Sequence, residues 1–185
     1  AVVNVTTQGM LAKNGALHRN RVLCHAFMLD VAGTSAEAYQ KAVDGNLQLS
    51  EIGDGPARHT VYRRVTPGKE SIGVIIGGMG FWDRIDLVIV LAPDLRQVLN
   101  IQILDQKDTP GLGARIEEPW FTDQFKGLQV DWEDPQGRRI AIGVASNPNA
   151  RNRVDAITGA TQTSMAVMHF LNEELDRIRA QLPPA

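Results

Sequence analysis

The stretch "SIGVIIGGMGFWDRIDLVIVLAP", Ser71 to Pro93, holds two apolar runs separated by a short glycine-rich segment. Gly78-Met79-Gly80, coming after a strand-like run, invites comparison with the G-x-G-x-x-G turn that opens a dinucleotide-binding helix. Asp83 stands where the third glycine belongs, and "RIDLVIVLA" continues as strand rather than helix. The dinucleotide reading fails. What remains is a glycine bulge or turn joining two strands, with Trp82 as a half-buried packing residue.

Outward from this pair, "HTVYRRV" and "QVLNIQILDQ" share its richness in Val and Ile, which predicts four strands. Links such as "TPGKE" and "APDLRQ" suit hairpin turns, so the arrangement reads as antiparallel. "RRIAIGVAS", near residue 140, predicts a fifth strand. Upstream, Leu17, Val22 or Leu23, Ala26, Phe27 and Met28 fall near helical spacing, giving a helix over Asn14 to Val31. "GTSAEAYQKAVDGN" predicts a second, short helix, with Thr34 or Ser35 as N-cap, Glu37 in the first turn and Gly45 as the stop. At the other end, Met168, Leu171, Leu175, Ile178 and Leu182 make an apolar stripe on a helix from Thr163 to Leu182, ended by "LPP". Helices first, a sheet in the middle and a helix last predict an α+β fold: a mainly antiparallel sheet with N-terminal helices and a C-terminal amphipathic helix. Residues 1–185 read as one domain, with a helical part over 1–50 and the sheet and last helix over 58–182.

A chain of 185 residues, 43% hydrophobic and 22% charged, buries one sizeable core. Its 19 Lys+Arg against 21 Asp+Glu leave a net charge of -2, so no global field collects phosphodiester backbone. Nucleic acid is excluded as an expected partner. Cys24 is the only cysteine, and neither CxxC nor CxxCH is present to hold zinc or attach haem. The longest apolar runs fall short of the roughly 18 residues expected of a membrane span. The chain opens on "AVVNV" without methionine or an export signal, and is expected to have lost something N-terminal.

Two further stretches carry chemistry. "DTPGLGARI", Asp108 to Ile116, contains Pro110-Gly111, the pair favoured at the centre of a type II turn. It reads equally as a plain turn or as a surface where backbone meets a flat ligand under an aliphatic side chain. "DAITGATQTSMAV", Asp155 to Val167, sets Thr158, Thr161, Thr163 and Ser164 around Gly159-Ala160 at the start of the last helix. One Ser or Thr is enough for a cap, and four in seven residues exceed that need. Anion binding at the free N–H groups and elaborate capping both remain open.

Taken together these motifs resemble the FMN-binding domains of RnfG and NqrC, subunits of membrane-bound, ion-translocating electron-transport complexes. "VDAITGATQTS" is similar to the family's flavinylation motif, Thr109-Pro110-Gly111-Leu112-Gly113 to its Thr-Pro-Gly-Leu-Gly loop, and Gly78-Met79-Gly80-Phe81-Trp82 to its upstream glycine-aromatic element. The order is right across about residues 72 to 172. The resemblance implies FMN linked through its phosphate to Thr161 by a separate magnesium-dependent flavin transferase, which Asp155, Thr158, Gly159 and Ala160 would help to recruit. It also implies that Thr109, Leu112 and Gly113 lie along the isoalloxazine ring. On physical grounds Thr163 and Ser164 are expected to hydrogen-bond the phosphate, Trp82 to wall the ring, and Arg153, rather than Arg151, to offset the charge. No protein group with acid-base work of its own is evident, so the expectation is a redox carrier rather than an independent catalyst.

Lys107-Asp108 stands where the family commonly has Glu with His nearby, and Asp83 follows Trp82 where Gly-Pro often follows. The balance favours an RnfG-like protein over NqrC. A stand-alone module that binds FMN or another phosphate ligand reversibly is the alternative. The implied partners are other subunits of a membrane electron-transport complex, the transferase, and the membrane itself through an N-terminal anchor. The implied location is the periplasm or extracytoplasmic face. His18 and His25, seven apart, lack the Cys or carboxylate pattern of a metal site and read as ordinary histidines; His59 and His169 read as isolated.

Overall fold

The computed structural model of the chain describes residues 2–55, 58–143 and 150–182, with side chains from residue 14 onward. Two helices, α1 (Val2–Ala26) and α2 (Ala36–Asn46), lead into five strands: β1 (Leu47–Ile52), β2 (His59–Arg64), β3 (Ser71–Met79), β4 (Arg84–Leu91) and β5 (Val98–Asp105). After an irregular segment come a single helical turn α3 (Pro119–Thr122), the short strands β6 (Ala141–Ile142) and β7 (Arg153–Val154), and the long helix α4 (Thr161–Gln181). The five strands form an antiparallel meander in sequential order, as the hairpin links predict.

Helices cover both faces of this sheet, which explains why "IDLVIVL" reads as a continuous apolar run rather than an alternating one. Ile85, Leu87, Ile89 and Leu91 of β4 point into a core shared with α4, whereas Val88 and Val90 point the other way, against α1 and α2. On the α4 side Val167, Leu171, Leu175 and Ile178 are fully buried. Each such side chain is worth roughly 1.5–3 kcal/mol, so packing fixes this helix more firmly than propensity does. Gly78 of β3 lets α4 settle there, since a Cβ on it would lie 2.4 Å from Phe170 Cβ. Gly73 plays the same part on the opposite face, beneath the Phe27 ring of the α1 side.

Three expectations are corrected. The first helix begins before Asn14 and stops at Ala26 rather than Val31, because Met28 turns left-handed (φ 50°) and Leu29 N–H bonds back to Cys24 O at 2.8 Å. Strand β1 is not foreseen by the sequence pattern. Gly45 does not separate it from α2, since the helix runs to Asn46 and the strand starts at the next residue. The expected fifth strand near residue 140 pairs over only Ala141–Ile142, and it does so parallel with Arg153–Val154 in a separate small sheet. Arg138, Arg139, Ile140 and Gly143 stay outside any strand, and Val144 to Ser146 lie outside the described residues. Ser35 caps α2 as expected, its hydroxyl accepting from Ala38 N–H at 3.1 Å.

Candidate functional site

The β3–β4 hairpin, the loop after β5 and the start of α4 converge on one cleft of about 370 Å³, lined by Phe81 and Trp82, by Asp108, Thr109, Leu112 and Gly113, and by Gly159 through Thr163. That volume lies in the range of small-ligand sites. Each wall has a local cause. Gly80 N–H bonds Asp83 O at 2.8 Å, closing the hairpin and pushing Phe81 and Trp82 outward. They stack edge to face at 4.7 Å, yet remain 50% and 67% exposed. The half-buried packing role expected of Trp82 is thus corrected: the ring stands at the cleft in solvent.

Pro110-Gly111 forms the turn their sequence dictates. Leu112 N–H reaches Thr109 O at 3.1 Å, and Gly111 takes the positive φ (77°) that this turn demands. Leu112 is left on the surface, 46% exposed, beside the second turn: a Cβ on Gly159 would meet its Cδ2 at 3.5 Å. Gly159 itself has φ 81°, and Ala160 N–H bonds Ile157 O at 3.0 Å. That turn delivers Thr161, exposed, as the first residue of α4.

The hydroxyl cluster divides into two pairs. Ser164 is fully buried, its Oγ accepting from Ile157 N–H at 3.0 Å and donating to Ala160 O at 3.0 Å. Thr163 is also buried, and donates to Asp108 Oδ2 at 2.6 Å. Both hydroxyls donate within the protein. Thr158 and Thr161 are exposed. No side chain caps α4, so its first-turn N–H groups stay open to an anion next to Thr161.

Of the twelve residues expected at the site, the fold gathers Trp82, Thr109, Leu112, Gly113, Gly159, Ala160, Thr161 and Thr163 around the cleft. Four stand off it. Thr158 and Asp155 are exposed on the approach to the turn; Arg153 pairs with Asp155 at 3.1 Å rather than facing the cleft, and Ser164 braces the helix from within. Sequence reasoning missed Phe81, Gln162 and Asp108 as lining residues. For Asp108 a signal existed: an acidic residue directly before the Pro-Gly turn, within reach of whatever that turn packs on. Among the described residues no cluster of three metal-ligating side chains occurs. His18 donates from Nε2 to Leu104 O and accepts at Nδ1 from Arg21, and His59 is not isolated: it is buried against Glu174 and Gln181 at the far end of α4.

This geometry fits FMN. Exposed aromatic and aliphatic side chains line one cleft, and an uncapped helix start adjoins the Thr161 hydroxyl. Similarity to known proteins agrees. Residues 80–176 match the family model of the FMN-binding domain, and the chain belongs to that family. An NqrC protein of the Na+-translocating NADH-quinone reductase of Pasteurella multocida is 37% identical over 90 residues, 49% of this chain and 34% of that protein. A component of the ion-translocating oxidoreductase complex of Methanosarcina acetivorans is 29% identical over 140 residues, 71% of this chain and 65% of that protein. The chain thus spans between about a third and two thirds of these relatives. The same fold is seen in the crystal structure of the corresponding Na+-translocating reductase component from Parabacteroides distasonis (TM-score 0.76, 19% identity, 93% of this chain and 94% of that one). It recurs in NqrC of Shewanella oneidensis (TM-score 0.68, 18% identity, 87% and 96%).

Proposed function

We propose that this chain is an electron carrier that holds FMN covalently, as a phosphodiester on Thr161, within an RnfG-like component of a membrane ion-translocating complex. The observation that carries the reading is that the exposed Thr161 hydroxyl shares one cleft with Trp82 and Leu112, which the sequence separates widely. For attachment, the Thr161 Oγ–phosphorus bond forms as the pyrophosphate bond of FAD breaks; AMP leaves and the hydroxyl proton is lost. The transferase supplies the catalysis, so Thr161 needs only to be reachable. Asp155 and Thr158 stand exposed on the same approach, where a second protein can touch them.

FMN supplies reversible electron uptake, chemistry that no side chain here possesses. The chain binds, orients and shields. Phe81, Trp82 and Leu112 offer apolar faces to the ring, Gly113 lets the loop close on Asp108 and Thr163, and the first turn of α4 offsets the phosphate charge. The RnfG-like assignment rests on Lys107-Asp108 and on Asp83 after Trp82, where the sequence departs from the family's common pattern. Among the described residues no helix is long and apolar enough to cross a membrane. Membrane attachment through an N-terminal anchor, neighbouring subunits and an extracytoplasmic location belong to the same proposal; that the relatives are subunits of ion-translocating complexes supports the neighbouring subunits.

Co-expression with a flavin transferase tests it. The expected product fluoresces as a flavin in a denaturing gel, whereas the Thr161→Ala chain does not. Flavin lost on denaturation from the unaltered chain would favour a reversible FMN module and overturn the covalent reading. A fusion to alkaline phosphatase should be active only if the domain is exported.

A further inference from the structure

Asp108 is buried, 5% exposed, yet lines the cleft. Its two carboxylate oxygens serve different elements: Oδ2 accepts from Thr163 at the start of α4, and Oδ1 accepts from Trp82 N–H at 3.4 Å in the β3–β4 hairpin. Its own N–H is held by Gln106 Oε1 at 2.7 Å. Gly113 closes over this junction, where a Cβ would lie 2.4 Å from Asp108 Oδ2 and 2.5 Å from Thr163 Oγ1. Hairpin, loop and helix therefore meet at one side chain.

Among the described residues Asp108 forms no ion pair; neighbouring Lys107 turns instead to Asp83, at 3.3 Å. A buried carboxylate is costly unless it is paired or well hydrogen-bonded, and two hydrogen bonds could have been supplied to a neutral acceptor at lower cost. The charge itself calls for a reason. Because the Asp108 side chain is itself buried, its negative charge is screened less than a surface charge and acts on any group that gains electrons beside it.

We propose that Asp108 is a positioning residue that also sets the redox potential of the cleft: its unpaired carboxylate joins the three motif elements and holds the bound flavin at a lower reduction potential. This rests on the reading of the cleft as a flavin site. Asparagine separates the two roles. It matches aspartate in shape, its carbonyl still accepts from Trp82 N–H, and its amide can donate to the Thr163 hydroxyl, so only the charge departs. Valine at position 163 does the reverse, removing one bond and leaving the charge.

The experiment compares the unaltered chain with D108N, D108E and T163V, each co-expressed with a flavin transferase, and reads flavin content, melting temperature and midpoint potential by spectroelectrochemistry. D108N should load flavin and shift the oxidised-to-reduced equilibrium at least tenfold towards reduction, about 30 mV for a two-electron couple. D108E should return the potential to within that window, and T163V should lower the melt without reproducing the shift. A flavin-loaded D108N with unchanged potential overturns the proposal, as does T163V moving the potential as far and in the same direction. Should D108N fail to accumulate, D108E decides, since a charge-keeping variant that departs more than tenfold is incompatible with a charge effect. Where mass spectrometry shows Thr161 unmodified but FMN binds reversibly, the same comparison runs on the reversible complex; where the unaltered chain binds no FMN at all, it is the flavin-site reading that has failed.

Discussion

Replacing Gly113 by alanine places one methyl group where the structure has no room. Its Cβ would lie 2.4 Å from Asp108 Oδ2, 2.8 Å from Asp108 Cβ and 2.5 Å from Thr163 Oγ1, so it would wedge apart the 2.6 Å bond that joins loop to helix. Overpacking and the loss of a buried charge-assisted bond each cost about 1–3 kcal/mol, and their sum of about 4 kcal/mol lowers the melting temperature by about 8–16 °C in a chain of this size. Gly111, two residues earlier, is the internal control. Its φ is 77° and a Cβ there meets nothing within 4 Å, so alanine costs only the left-handed backbone, about 1 kcal/mol. Thermal denaturation of the flavin-free variants reads both effects without interference from a ligand. A Gly113→Ala melt no lower than that of Gly111→Ala would refute the tight junction.

Trp82→Ala should leave stability within about 0.5 kcal/mol, as exposed positions do, while weakening flavin binding and altering the flavin absorption band; a large loss of stability contradicts the exposed placement. Glu174→Ala removes the buried partner of His59 Nε2, leaves His59 only its contact with Gln181 and unties Arg177, and should cost about 1–3 kcal/mol in denaturant unfolding, with no measurable loss as the contrary result. Burial pushes the Cys24 thiol above its ordinary range, so labelling by a thiol reagent at neutral pH should be slow in the folded chain and fast in denaturant. Equal rates would place that thiol at the surface.

Much of this was legible because the signals are local. The turn at Pro110-Gly111, the antiparallel hairpins and the α4 stripe each follow from residue type and spacing, and all three appear where expected. Within that stripe Val167 and Phe170 join the core while Met168 moves to its edge, where its Sδ accepts from Ile142 N–H. Strand β1 escaped because it is an edge strand burying only Leu47, so "LQLSEI" carries no apolar face to read. At the site, the sequence supplied a surplus of hydroxyls but not their destinations. Whether Thr163 faces a phosphate or Asp108 depends on a residue 55 positions away in the chain, brought near by the sheet. Asp108 was passed over for the same reason: its partners are made by the fold.

Peptide-level mass spectrometry of the chain, purified under denaturing conditions after co-expression with a flavin transferase, bears most directly on the central claim. The peptide spanning Thr161 should carry the mass of FMN less one water, with fragment ions placing it on that residue. A bare peptide alongside flavin found on another residue, or no flavin on the chain at all, would contradict it.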